Sequence, residues 1–316
     1  MIIETDGLRR DFLVGTRMRR KRVVAVRDVT LSVAPGEAVG FLGPNGAGKS
    51  TTIKMLTGVL VPTSGSASVC GLDPVRQRRE LGKRIGVVFG QRSQLWWDLP
   101  LEESFDLHGA IHKVPAARYE ERLEECVELL DMTSFLRTPV RQLSLGQRMR
   151  GEVTAALLHS PELLVLDEPT IGLDLASKER LRSFLSAVNA RGEVTLLLTT
   201  HDLPDVERLC RRVVVIDHGR VLVDDELATL RRRFAGNRTL VVELTAPAEA
   251  LDGLAGVVDV QVEAQGLRQR LAFGADTSAA ELIAEIARRV ELRDVTVDEP
   301  SIEDLVRTLY ASSRPA

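Results

Sequence analysis

Three groups of residues in this 316-residue sequence have the types and spacing to act on a phosphorylated molecule. The first is Gly43-Pro44-Asn45-Gly46-Ala47-Gly48-Lys49-Ser50-Thr51, which fits the pattern G-x-x-x-x-G-K-[ST]. Glycines in such a loop let backbone N–H groups turn inward around a polyphosphate, and a helix starting at its end adds N-terminal donors and a positive dipole end. Lys49 is then placed to reach the β and γ phosphates, and Ser50 to ligate Mg²⁺. The second group ends the apolar run Leu163-Leu164-Val165-Leu166 in two acids. Asp167 suits Mg²⁺ through its water shell, and Glu168 is placed to polarise an attacking water. The third is Leu143-Ser144-Leu145-Gly146-Gln147, where Ser144 and the Gly146 backbone can meet a γ-phosphate from a helix N-terminus; taken alone it also reads as an ordinary N-cap.

The elements that must hold these groups are legible as an α/β pattern. Residues 38–42 form a short apolar strand before the loop, and residues 49–60 a helix after it. Residues 85–89, 163–166 and 194–198 are apolar runs alternating with helices, the last two separated by a helix over 176–190, which indicates a parallel sheet covered on both faces. Ahead of the loop, strands are expected at 2–8, 23–26 and 29–33 as a small antiparallel layer, with a further strand at 67–70. A basic helix is predicted over 75–84, mainly helical structure over 101–150, an edge hairpin from 212–217 and 219–223, and an arginine-rich helix over 225–234. Beyond the break at Gly236-Asn237, strands at 239–244, 257–263, 267–273 and 292–297, with helices near 248–254 and 278–290, spell β-α-β-β-α-β, a ferredoxin-like split motif closed by a helix over 300–310.

Composition narrows the function classes. The net charge is −3 and aromatics make up 4%, so the basic, stacking signature of a nucleic-acid binder is missing and no nucleic-acid partner is expected. Cys70, Cys126 and Cys210 are odd in number and widely spaced, which fits neither a disulfide framework nor a zinc site and suits a reducing cytoplasm. The first six residues carry acids where an export signal carries bases, and the longest uncharged stretch, 55–72, is broken by Gly58, Pro62 and Gly65, so no membrane-spanning helix is expected. The run Arg17-Met18-Arg19-Arg20-Lys21-Arg22 forms a basic hairpin tip, readable as a solvated loop or as a contact for anionic lipid headgroups.

With the phosphate loop, Gln91, Leu143 to Gln147, Asp167-Glu168, Gly172-Leu173-Asp174 and His201 in this order, the chain resembles the nucleotide-binding subunit of ATP-binding cassette (ABC) transporters over residues 1–225. The resemblance implies a P-loop NTPase, with residues 1–235 as the ATPase domain, a helical insert over about 92–150, and 236–316 as a small α+β accessory domain. It implies that Gln91 senses Mg²⁺ and the γ-phosphate, that Ser144 to Gln147 form the signature, and that Asp174 is the D-loop acid. His201 becomes the switch histidine, and Phe12 matches the aromatic that stacks on adenine. Three residues depart from the family pattern: Leu145 in the signature, Ile171 before Gly172, and Phe12 in place of tyrosine. The implied activity is Mg²⁺-dependent hydrolysis of ATP in a head-to-tail dimer with a second ATPase protomer, bound to separate integral membrane permeases on the cytoplasmic face of the membrane. The tail Glu299-Pro300-Ser301-Ile302-Glu303-Asp304-Leu305 resembles the extension on ATPases of drug and antibiotic exporters. A polysaccharide or lipid exporter is the close alternative, and a soluble ABC ATPase outside transport the more distant one. Trp96 and Trp97, the only tryptophans, fall just after Gln91 and are expected to face a permease or to pack the helical insert.

Overall fold

The computed structural model describes residues 1–316 except 17–18, 91, 201, 234–237, 275 and 299–316. The chain divides into two compact units, Met1–Leu227 and Ala228–Ala316. In the first, the strands are β1 (Ile3–Thr16), β2 (Arg19–Val33), β3 (Ala38–Leu42), β4 (Ser64–Val69), β5 (Ile85–Phe89), β6 (Leu163–Asp167), β7 (Thr195–Thr199), β8 (Arg212–Asp217) and β9 (Arg220–Glu226). The helices are α1 (Lys49–Leu56), α2 (Arg78–Leu81), α3 (Leu101–His112), α4 (Ala116–Leu129), α5 (Leu145–Leu157), α6 (Leu175–Ala190) and α7 (Leu203–Leu209), with α8 (Leu227–Arg233) starting at the division.

One nine-stranded sheet runs β4-β1-β2-β9-β8-β3-β7-β6-β5. From β8 to β5 its neighbours pair in parallel. β3 and β7 are buried at every residue, the continuous apolar character expected of strands covered on both faces. At the other end, β1 pairs antiparallel with β2 and β4. The two short strands expected at 23–26 and 29–33 are one strand, β2, because register shifts between Thr5 and Asp11 absorb the polar Asp6-Gly7 step and let the ladder resume. The hairpin of β8 and β9 does not lie at an edge. β9 also meets β2, where the Arg27 and Asp28 amides both donate to the Gly219 carbonyl, so the hairpin joins the antiparallel layer to the parallel sheet. The basic helix expected over 75–84 shrinks to α2, since the Asp73 carboxylate accepts from the amides of Val75 and Arg76 and holds the first residues in a turn. The basic tip lies partly outside the described residues.

The second unit holds β10 (Arg238–Leu244), β11 (Val257–Glu263), β12 (Arg268–Phe273), α9 (Ala279–Arg289) and β13 (Leu292–Asp298), in the all-antiparallel order β11-β12-β10-β13. Its core gathers Leu240, Val242, Leu271 and Phe273 under Leu282 and Ile286, which stand four apart on one face of α9. The helix expected near 248–254 is absent. The buried Gln269 side chain accepts from the Leu251 amide at 2.9 Å and donates to the carbonyls of Ala248 and Glu249 at 3.3 and 2.9 Å, so one side chain satisfies backbone groups that a helix would pair internally. Leu251 and Leu254 still reach the core from this irregular segment. The expected closing helix over 300–310 and the break at Gly236-Asn237 lie outside the described residues. Among those residues no helix is long and apolar enough to cross a membrane, and the three cysteines are free and buried.

The helical insert is keyed to the sheet by a ladder of imidazoles. His108 and His112 on α3 stack with ring centroids 6.4 Å apart, and His112 stacks on His159 at 3.9 Å. His159 hydrogen-bonds the Ile85 carbonyl at 3.0 Å, and its Nδ1 is buried without a partner. Burial, then the neighbouring His112, pushes His159 down to about 4 from an ordinary 6.5, so the fold holds it neutral. Its contribution to stability is therefore present above about pH 6.5 and is lost as pH falls through about 4, on the order of 3 kcal/mol in all. Urea unfolding at pH 7 and at pH 4 is expected to show a smaller acid loss for His159→Phe than for the native chain.

Candidate functional site: a phosphate-binding cleft

The phosphate loop sits between β3 and α1, as the sequence predicts. The loop turns at Gly48, which adopts φ +108° and starts α1; a Cβ there would stand 2.7 Å from the Ala25 carbonyl oxygen, so only glycine fits. The Lys49 ammonium donates to the carbonyls of Gly43 at 2.6 Å and Pro44 at 3.3 Å, which folds the long side chain back over its own loop. Burial pushes the Lys49 amine down, while the charges of Glu168 and Asp167 oppose that shift. A cleft of about 700 Å³ opens here, lined by residues 43–46 and 48–51 with Ala25, Glu168 and Ile171.

The acid pair comes to the same place because β6 ends beside β3's neighbour β7. Asp167 accepts a hydrogen bond from Thr199 Oγ1 at 2.5 Å, and Ser50 Oγ lies 3.4 Å from its carboxylate. A serine hydroxyl and a carboxylate at this separation are hard oxygen donors, which fit Mg²⁺ completed by phosphate and water oxygens. Glu168 turns away from the strand with φ +57°, a conformation that costs about 1–2 kcal/mol in a residue with a side chain. It is held there by its amide, which donates to the Thr199 carbonyl at 2.9 Å. This turn lets Glu168 line the cleft that holds Lys49.

Residues 144–147 and Asp174 form a second cluster. Ser144 caps α5, accepting from the Gln147 amide at 3.2 Å, while Gln147 Oε1 accepts from the Ser144 amide at 2.9 Å, a complete capping box. Asp174 caps α6 by accepting from the Ser177 amide at 2.8 Å, and these bonds from Ser177 hold its carboxyl below the usual range. The two helix starts touch: a Cβ on Gly146 would stand 2.5 Å from Ser177 Oγ and 3.0 Å from Ser177 Cβ, so the Ser177 side chain would have to move to admit one. Ser144, Gly146, Gln147 and Asp174 do not line the cleft of the same chain. Phe12 is half-buried opposite Val23, with the Arg10 guanidinium 4.7 Å from its ring centre, and it does not line the cleft either, although Ala25 on β2 does. Gln91 and His201 lie outside the described residues.

Sequence reasoning missed the residues that hold the cleft's far wall. Asp205 is fully buried; it accepts from Thr170, from Arg182 Nε at 2.6 Å and from Thr200 Oγ1 at 3.3 Å. Asp202 accepts from Lys178 and from Arg182 Nη2 at 3.4 Å, and its amide donates to Thr200 Oγ1 at 2.9 Å. One carboxylate thereby fixes the segment after Glu168 and the segment after Thr199. The only sequence signal was an Asp–Arg pair on neighbouring helices, indistinguishable from surface ion pairs. Breaking one partner of a buried pair costs about 3–5 kcal/mol, whereas replacing both by apolar residues is near neutral. Denaturant titration is expected to show that order of loss for Asp205→Leu and a substantial recovery in Asp205→Leu with Arg182→Met.

The family model "ABC transporter" matches residues 26–171, and the model "ATP-binding protein DrrA1-3-like, C-terminal domain" matches residues 226–307. The chain is 33% identical over 310 residues to the daunorubicin resistance ATP-binding protein DrrA3 of Streptomyces coeruleorubidus, spanning 95% of each chain. It is 41% identical over 206 residues to Nod factor export ATP-binding protein I of Cupriavidus metallidurans, spanning 64% of this chain and 66% of that one. A solved ATP-binding subunit of an ABC transporter aligns at a TM-score of 0.64 and 29% identity, over 74% of this chain and 93% of its own. The chain belongs to the ATP-binding subunits of ABC transporters.

Proposed function

We propose that this ATPase energises export of drugs, antibiotics or similar hydrophobic compounds through separate permease subunits, working from the cytoplasmic face of the membrane. The observation that carries the catalytic reading is the single cleft in which the phosphate loop, Lys49 and Glu168 meet. The loop amides and Lys49 hold the β and γ phosphates of ATP. Ser50, Asp167 through water and, by resemblance, Gln91 would hold Mg²⁺, which would supply positive charge to the phosphate oxygens when bound. Glu168 accepts a proton from the water that attacks the γ-phosphorus in line, and ADP leaves with the bridging oxygen.

The signature completes the site from a second protomer, as ABC cassettes dimerise. Ser144 Oγ already accepts from Gln147, and its hydroxyl proton stays available to donate to a γ-phosphate across the interface. Exposed Leu145, Ile171 and Leu175, the last 78% accessible, ring this region and favour a surface that is covered in the working state. Phe12 is assigned to the adenine, Asp174 to the contact between protomers, and His201 to the γ-phosphate of its own chain. Export of drug-like compounds is favoured over polysaccharide or lipid export because the similarity to the daunorubicin resistance protein runs through both units, whereas that to the Nod factor protein covers 64% of the chain.

Glu168→Gln is expected to lower steady-state ATP hydrolysis by about 10²-fold or more and to accumulate a dimer in ATP by light scattering. An unchanged rate removes Glu168 from the role of base. Replacing Trp96 and Trp97 by alanine is expected to leave hydrolysis by the isolated subunit intact while abolishing its co-purification with the permeases; retained co-purification by the folded variant excludes these residues from that contact.

A further inference from the structure

The helix that begins at Ser144 carries a carboxylate that neither nucleotide binding nor hydrolysis uses. Glu152, 4% exposed, lies on α5 beside Gly151 and Val153. Its carboxylate accepts from Ser93 Oγ and from the Gln94 amide at 3.1 Å, and its own backbone carbonyl accepts from Gln94 Nε2 at 3.0 Å. Three bonds thus run from one residue of α5 to two consecutive residues of the segment that follows position 91. Leu95, the next residue, is buried; a Cβ on Gly151 would stand 3.2 Å from its Cδ1, so the loop lies close over the helix.

The loop is tied further along as well. The Trp96 amide donates to Ser104 Oγ at 3.2 Å, the Trp96 ring meets His108 edge-on, and His108 Nε2 reaches the Gln94 carbonyl at 3.3 Å. Trp97, half exposed, lies with its ring centre 5.8 Å from the Arg148 guanidinium, one residue past the signature Gln147. A carboxylate is an expensive way to fill a helix face: burial pushes the Glu152 carboxyl up, and only the bonds from Ser93 and Gln94, with Arg148, hold it down. An alanine or valine would pack without that cost. What an apolar residue cannot do is hold the exposed Ser93 and the half-exposed Gln94 to the helix, since water would satisfy them equally well.

We infer that Glu152 is a positioning residue that locks the loop carrying Trp96 and Trp97 to the signature helix, so that loop and helix move as one body when a second protomer closes over ATP. The inference rests on the proposed composite site and adds the part that transmits its closure to the partner-facing loop. A displacement of α5 is delivered to the tryptophans through hydrogen bonds to a charged acceptor, each stronger than a neutral one.

Because the chain has two tryptophans and both lie in this loop, their emission reports its surroundings directly. The test uses the full chain carrying Glu168→Gln, titrated with ATP and Mg²⁺. Dimer mass is followed by light scattering, nucleotide occupancy by a fluorescent ATP analogue, and the loop by tryptophan emission. The expected result is an emission shift that accompanies dimerisation in this parent. The shift is lost when Glu152→Ala or Ser93→Ala is added, with occupancy retained, and is restored in Glu152→Gln, which keeps an acceptor oxygen. Ser93 is exposed, so its variant carries the test if Glu152→Ala fails to fold. A full-sized shift in a folded Glu152→Ala or Ser93→Ala protein overturns the inference, as does a parent that dimerises without any shift. A parent that binds ATP and never dimerises overturns the composite-site reading, and the inference with it.

Discussion

Everything at the cleft depends on the register of the parallel strands. Phe41 pairs with Thr199, Thr199 with Asp167, and Asp167 with Phe89, so β3, β7, β6 and β5 end at one level of the sheet. The phosphate loop, the residue after Thr199, the acid pair and the residue after Phe89 therefore all leave the sheet from the same edge, where open α/β sheets bind ligands. A slip of one residue in any of these pairings would turn a strand's side chains to the other face, and a slip of β6 on β7 would part Asp167 from Thr199. The strands are apolar throughout, and such runs specify burial without specifying register. The ends do that instead, through Thr199 bonded to Asp167 and the Gly90 amide donating to the Asp167 carbonyl at 2.8 Å.

What the sequence made legible follows from this division of labour. The loop from Gly43 to Thr51, the acids at 167 and 168, and the cap at Ser144 are local patterns whose chemistry is contained in consecutive residues, and each lies on the element that its pattern required. The long strands β1 and β2 were not legible as such, because bulges near Gly7 and Arg10 disguise one ladder as several short pieces. The place of β9 between β8 and β2 was equally hidden, being fixed by backbone bonds at Gly219 between distant segments. The site's supporting residues, Asp205 with Arg182 and Glu152 with Ser93, are pairings across 23 and 59 residues. No local pattern distinguishes them from solvated charges, since only burial gives them their role.

Several of the buried polar groups, Glu152, Asp205, Arg182 and Thr199, lie on or beside the elements that carry the cleft residues, whereas most of the buried positions of the parallel strands are leucine and valine. An apolar core fixes shape through volume and tolerates small shifts; hydrogen bonds to charged groups are short-ranged and directional, and so define discrete positions. That placement gives the elements around the cleft directional contacts that the apolar centre of the sheet lacks.

In the second unit, the Gln269 side chain has a consequence for the order in which the chain is made. Its partners at Ala248, Glu249 and Leu251 leave the ribosome some 18 to 21 residues before it does. Until β12 is synthesised, that segment has neither the internal bonds of a helix nor the side chain that replaces them, and Leu251 and Leu254 have no core to enter. The segment over residues 248–254 thus finds its hydrogen-bond partners and its core only once the chain has doubled back.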